Sequence, residues 1–128
     1  MVSQASLRNK NLAIVDDHVP LLKAMAGLLE SYGAKVRSYQ NGRDFLQEMP
    51  PVDCLILDYY MPNMNGLQLA AELRERGYGA PIVILTGISD EIPEEVAAAT
   101  RIREIVDKFS GGDALLRAIE RATGKRAE

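Results

Sequence analysis

The sequence predicts a doubly wound α/β fold, with one five-stranded parallel sheet and helices on both of its faces. Two observations carry the prediction. Short apolar runs rich in aliphatic and β-branched residues recur along the chain, separated by stretches with helical spacing. Each of four runs also ends abruptly in polar residues: Leu12–Val15 in Asp16-Asp17, Cys54–Leu57 in Asp58, Ile82–Leu85 in Thr86, and Ile105–Asp107 in Lys108. In open parallel sheets ligands gather at the carboxyl ends of the strands. Three carboxylates, a hydroxyl and an ammonium therefore converge on one edge.

The elements follow in order. Residues 1–10 are polar and predict a frayed start. After the first strand Pro20 suits a helix start, and Leu21, Leu22, Met25, Leu28, Leu29 and Tyr32 recur at helical spacing up to a stop at Gly33. Lys35–Tyr39 alternates as a second strand, followed by a turn at Asn41-Gly42 and a short helix through Met49. Beyond Asp58 lies a loop carrying Met61-Pro62, then a helix from about Asn65 to Arg76 with Leu67, Leu69, Ala70 and Leu73 on its apolar face. A break spans Gly77 to Pro81. Helices over Pro93–Ala99 and about Asp113–Thr123 complete five βα units.

Bulk composition bounds the function. The 128 residues are read as one domain, with ends frayed near 1–9 and 124–128. A net charge of -3 gives no bulk attraction to nucleic acid. No apolar run reaches the length of a membrane span and no signal-peptide pattern opens the chain, so the expected location is the cytoplasm. The single Cys54 cannot form an internal disulfide, and within a strand run it reads as a small buried hydrophobe.

A flavodoxin-like strand order 2-1-3-4-5 would set strands 1 and 3 side by side, and with them Asp16, Asp17 and Asp58. A barrel is excluded by length. A dinucleotide site needs a Gly-rich turn after the first strand, where this chain has Asp-Asp-His-Val-Pro, and no Walker P-loop is present.

Along essentially its whole length the chain resembles a response regulator receiver domain of the CheY-like family. The resemblance rests on Asp16-Asp17, on Asp58-Tyr59-Tyr60-Met61-Pro62-Asn63-Met64-Asn65-Gly66 (matching D-x-x-M-P-x-M-x-G), on Thr86-Gly87 and on Lys108, all at family spacing. Thr86-Gly87, the segment Arg43–Leu46, and Lys108 with Phe109 are similar to the FixJ-type branch.

The residues themselves suggest the chemistry. Like charges crowded at a strand edge raise carboxylate pKa values, and a hard divalent cation relieves the repulsion; oxygen ligands with room for water suit Mg²⁺. The resemblance implies that Asp17, Asp58 and the backbone carbonyl of Tyr60 bind the metal directly, with Asp16 acting through water. It implies that Asp58 accepts a phosphoryl group from a sensor histidine kinase or a histidine phosphotransfer protein, with Lys108 and Thr86 contacting that group. The protein would then be a signalling domain that catalyses only its own phosphorylation and dephosphorylation. Its readout would be altered contacts with a downstream protein, with its own output domain, or with a second copy. The alternative is the excised receiver of a longer DNA-binding regulator or hybrid kinase, with the basic Arg121–Arg126 stretch opening a linker. A haloacid-dehalogenase-type phosphohydrolase is rejected, because that family needs a second Asp where this chain has Tyr60.

Three departures from the family pattern stand out. Ile105 replaces the usual aromatic three before the lysine, Phe109 replaces the proline after it, and Arg101-Ile102 replaces the usual Gly-Ala. The output face is therefore expected to be unconventional, and the Lys108-Phe109 peptide to be trans, since a non-proline cis bond costs about 2.5–4 kcal/mol. Tyr60 and Ile88, two residues after Asp58 and Thr86, are expected to border the path of attacking water and prolong the phosphorylated state. His18 reads as a loop residue, and Met61 and Met64 as loop packing.

Overall fold

Burial runs unbroken through the middle of the sheet. In the computed structural model, which describes residues 7–87 and 92–124, every residue of β3 (Cys54–Asp58) and β4 (Ile82–Thr86) is buried. Both are covered on two faces, which is why their sequences are continuous apolar runs. β1 (Asn11–Val15) is buried after its first residue, whereas β2 (Lys35–Tyr39) and β5 (Ile102–Asp107) are mostly exposed or half-buried. All pairings are parallel, in the order β2-β1-β3-β4-β5. The predicted fold and strand order are those observed.

Alternate side chains sort onto two cores. Leu12, Ile14, Cys54, Ile56, Val83 and Leu85 point to the face covered by α1 (Val19–Ser31) and α5 (Gly112–Thr123). Ala13, Val15, Leu55, Leu57, Ile82 and Ile84 point to the other, where α2 (Gly42–Glu48) and α3 (Gly66–Glu75) add Phe45, Leu69 and Leu73. Each fully buried aliphatic side chain of this kind contributes about 1.5–3 kcal/mol. α4 (Glu94–Ala99) buries none of its residues.

The helix starts are written locally. Pro20 lies in the first turn of α1. Asn41 caps α2 by accepting from Asp44 N at 2.8 Å. Asn65, predicted as the first residue of its helix, is instead the cap of α3: it exchanges bonds with Gln68 in a capping box, each 2.8 Å.

Two expectations are corrected. Residues 7–9, placed in a frayed end, are tied down: Leu7 is fully buried, and although Arg8 and Asn9 are exposed, Leu7 N and Asn9 N donate to Tyr32 O and Gly33 O at 3.1 and 3.0 Å. Gly33 (φ +100°) makes room, since a Cβ there would stand 2.8 Å from the Arg8 Cα. A lone Leu7 among polar neighbours carries no periodic signal, so its burial was not legible. β5 starts at Ile102, three residues before the predicted run, because an edge strand accommodates charge: Arg103 is exposed, and half-buried Glu104 accepts from Arg121 of the last helix at 2.9 Å.

Candidate phosphorylation and metal site

The register of the sheet builds the site. β1 and β3 pair Val15 with Leu57, so Asp16 and Asp58 emerge side by side at the C-terminal edge. Carboxylate oxygens of Asp16, Asp17 and Asp58 all lie within 4.8 Å of one another. Asp16 and Asp58 are buried and Asp17 is exposed, so the cluster opens to solvent on one side. β4 and β5 pair Thr86 with Asp107. Thr86 is buried, and its carbonyl accepts from Lys108 N at 2.9 Å. The Lys108 ammonium reaches across β4 to Asp58 Oδ1 at 2.8 Å.

Burial governs the electrostatics. It pushes the Asp58 carboxyl up to about 6; the Lys108 hydrogen bond opposes the rise, and the neighbouring Asp16 and Asp17 charges add to it. Asp16 Oδ1 accepts from His18 N at 2.9 Å, while Asp16 Oδ2 is buried with no hydrogen-bond partner. An orphaned carboxylate oxygen beside two further carboxylates is costly unless a cation or its waters complete it. An all-oxygen donor set with one solvent-facing side suits Mg²⁺. The residues therefore fit the metal that the cluster implies.

The β3–α3 loop supplies the rim. Tyr59 N donates to Leu85 O at 2.8 Å, and Gly66 N closes the loop onto Tyr59 O at 3.0 Å. A Cβ on Gly66 would lie 2.5 Å from the Asp58 carbonyl oxygen, so only glycine permits this approach. Met61 is buried and Met64 half-buried against the core, as loop packing requires. Tyr60 is 53% exposed, its ring edge-on to Tyr59 at 4.7 Å. A cleft of about 540 Å³ adjoins the carboxylates, lined by Asp17, Asn41, Arg43, Pro62 and Met64 among others. Another of about 390 Å³ lies at the opposite end of the strands, near Asn11, Lys35 and Pro50–Val52, away from this chemistry.

Asp16, Asp17, Asp58, Thr86 and Lys108 thus share one edge. Ile105 is half-buried against the α2–α3 core, and Ile88 lies outside the described residues. The Lys108-Phe109 peptide is trans, and the Phe109 ring is 84% exposed. Cys54 is buried within β3 and its thiol is pushed up to about 12, which makes it unreactive.

Arg74 escaped the sequence reading. Its guanidinium donates to Thr100 O at 2.9 Å, Tyr78 O at 2.7 Å, Ala80 O at 2.9 Å and Arg101 O at 3.2 Å. It ties the end of α4 to the α3–β4 turn. All its acceptors are backbone carbonyls, which leave no mark in a sequence.

The profile of the response regulator receiver domain matches residues 12–120. Among curated proteins, the transcriptional regulatory protein FixJ of Azorhizobium caulinodans is 29% identical over 117 residues, covering 90% of this chain and 56% of that protein. The response regulator protein TmoT of Ectopseudomonas mendocina is 38% identical over 87 residues, covering 66% and 39%. The chain thus spans about half or less of the length of these relatives. Among solved structures, the crystal structure of FixJ-N has a TM-score of 0.82 at 27% identity, covering 95% of this chain and 99% of the other. That of response regulator protein TrrA from Thermotoga maritima, in complex with Mg²⁺-BeF, has a TM-score of 0.79 at 27% identity, covering 88% and 98%.

Proposed function

The chain belongs to the response regulator receiver family of two-component systems, and on that premise we propose that Asp58 is its phosphoryl acceptor. The observation that carries this is the placement of Asp58, buried, ending β3, within 4.8 Å of two further carboxylates and hydrogen-bonded to Lys108. A carboxylate oxygen of Asp58 attacks the phosphorus of a phosphohistidine. The P–O bond forms as the P–N bond breaks, and the departing imidazole takes up a proton. Lys108, already at hydrogen-bond distance, neutralises charge on the transferred group, and the Thr86 hydroxyl donates to one of its oxygens. Asp17, Asp58 and the Tyr60 carbonyl would hold Mg²⁺, with Asp16 acting through water. When bound, the ion offsets phosphoryl and carboxylate charge.

The protein is a signalling domain, and its own phosphorylation and dephosphorylation are the only reactions assigned to it. The donor is a sensor histidine kinase or histidine phosphotransfer protein, and the chain works in the cytoplasm. Among the described residues no helix is long and apolar enough to cross a membrane. A phosphoryl group adds up to about two negative charges beside Lys108 and Thr86. With Ile105 in place of an aromatic, that change is read through α4 and the Phe109 loop, and alters contacts with a partner or a second copy. The length of the relatives favours a second reading, in which this receiver controls an output domain of a longer regulator.

The test is intact mass after incubation with Mg²⁺ and acetyl phosphate. The protein gains one phosphoryl group and Asp58→Asn gains none; equal labelling of the variant overturns the assignment.

A further inference from the structure

Lys108 sits in a turn built by its neighbour. Asp107, the last residue of β5, accepts from Phe109 N through its side-chain Oδ1 at 2.8 Å. The Asp107 carbonyl accepts from Ser110 N at 3.1 Å and from Ser110 Oγ at 2.6 Å. One residue therefore takes three hydrogen bonds from the two residues beyond Lys108, and the chain then turns through Gly111 (φ +96°) into α5.

Such side-chain closure over two residues is an Asx turn, a local device that sets backbone direction. Asp107 and Phe109 are both exposed, so water would serve that N–H equally well. The bond is thus not a response to burial. Its structural effect is to hold the Lys108 backbone from its C-terminal side, while Lys108 N is held by Thr86 O on the other. A lysine stem is long and flexible, and an ammonium placed at 2.8 Å from Asp58 needs its Cα fixed. The turn also requires an N–H at residue 109, which phenylalanine has and proline lacks.

We propose that Asp107 is a positioning residue for phosphoryl transfer, acting through the Asx turn that aims Lys108 at Asp58. This rests on the proposed role of Asp58, and concerns a residue that touches neither metal nor phosphoryl group.

The experiment follows Asp58-dependent labelling by acetyl phosphate. Asp107→Ala should slow it about tenfold, the scale expected when a catalytic group is misplaced by a fraction of an ångström to an ångström. Asp107→Asn keeps the acceptor without the charge and should stay within about twofold of wild type. Asp107→Gln, too long to close the turn, should match Asp107→Ala and serves if the alanine variant folds poorly. In a Lys108→Ala background Asp107→Ala should cost nothing further, because two residues acting through one interaction are not additive. Mg²⁺ affinity by calorimetry should stay unchanged. Wild-type rates for both Asp107→Ala and Asp107→Gln, equal loss in Asp107→Asn, or a full further loss in the Lys108→Ala background overturns the inference. Labelling that persists in Asp58→Asn would instead overturn the receiver chemistry itself.

Discussion

Lys108 Nζ lies 2.8 Å from Asp58 Oδ1, yet burial pushes the Asp58 carboxyl up to about 6, well above an ordinary aspartate. Burial beside Asp16 and Asp17 outweighs the attraction of the ammonium. The pair therefore leaves the site short of positive charge, the condition in which a divalent cation binds.

A pH dependence follows. An acid whose folded pKa is raised holds its proton more tightly folded than unfolded. Its stabilising contribution is complete below about pH 4 and is lost as pH rises through about 6. On the proposed function Mg²⁺ would bind the ionised cluster and offset that loss. The rise in Tm on adding saturating Mg²⁺ should thus be small near about pH 5 and large near about pH 7.5. Thermal melts at both pH values check this, and an equal rise at both would refute it.

Arg74 makes a stability prediction. Arg74→Ala leaves the carbonyls of Thr100, Tyr78, Ala80 and Arg101 without their shared donor. The cost should be about 2–3 kcal/mol, since bonds to a charged group are strong but act here as one unit. Arg74→Lys, which has no planar fork, should recover less than half. Urea midpoints at constant slope measure both, and an alanine variant within about 0.5 kcal/mol of wild type would show the clamp to be ornamental.

The proposed phosphorylation at Asp58 makes a prediction at Tyr60. Two residues beyond Asp58, its side chain is exposed, with its ring edge-on to Tyr59. It lacks the short amide or acid that best orients an attacking water. Tyr60→Asn should speed loss of the phosphoryl group roughly 3–10-fold, a change of about 1 kcal/mol in barrier. Decay after removal of the donor is the measurement, and an unchanged rate would remove Tyr60 from the control of hydrolysis.

The sequence by itself determined the sheet, its order, and the edge where Asp16, Asp17, Asp58, Thr86 and Lys108 meet. Continuous burial forces continuous apolar runs, so each buried strand announces its own end. It also places helix starts near Asn41 and Asn65, though as a turn and as a first helical residue; that both are caps is shown by their bonds to Asp44 N and Gln68 N in the folded chain. Only the tertiary structure decided what depends on distant segments closing on one another. Leu7 is core because the chain before β1 folds back over Gly33. Asp16 Oδ2 is orphaned while Asp17 faces solvent because the first strand ends against β3 at that register. Asp107 and Arg74 act on backbone N–H and carbonyl groups, which every residue carries alike. A bond to such a group has no residue type to betray it, and exists only where the folded chain brings it within reach.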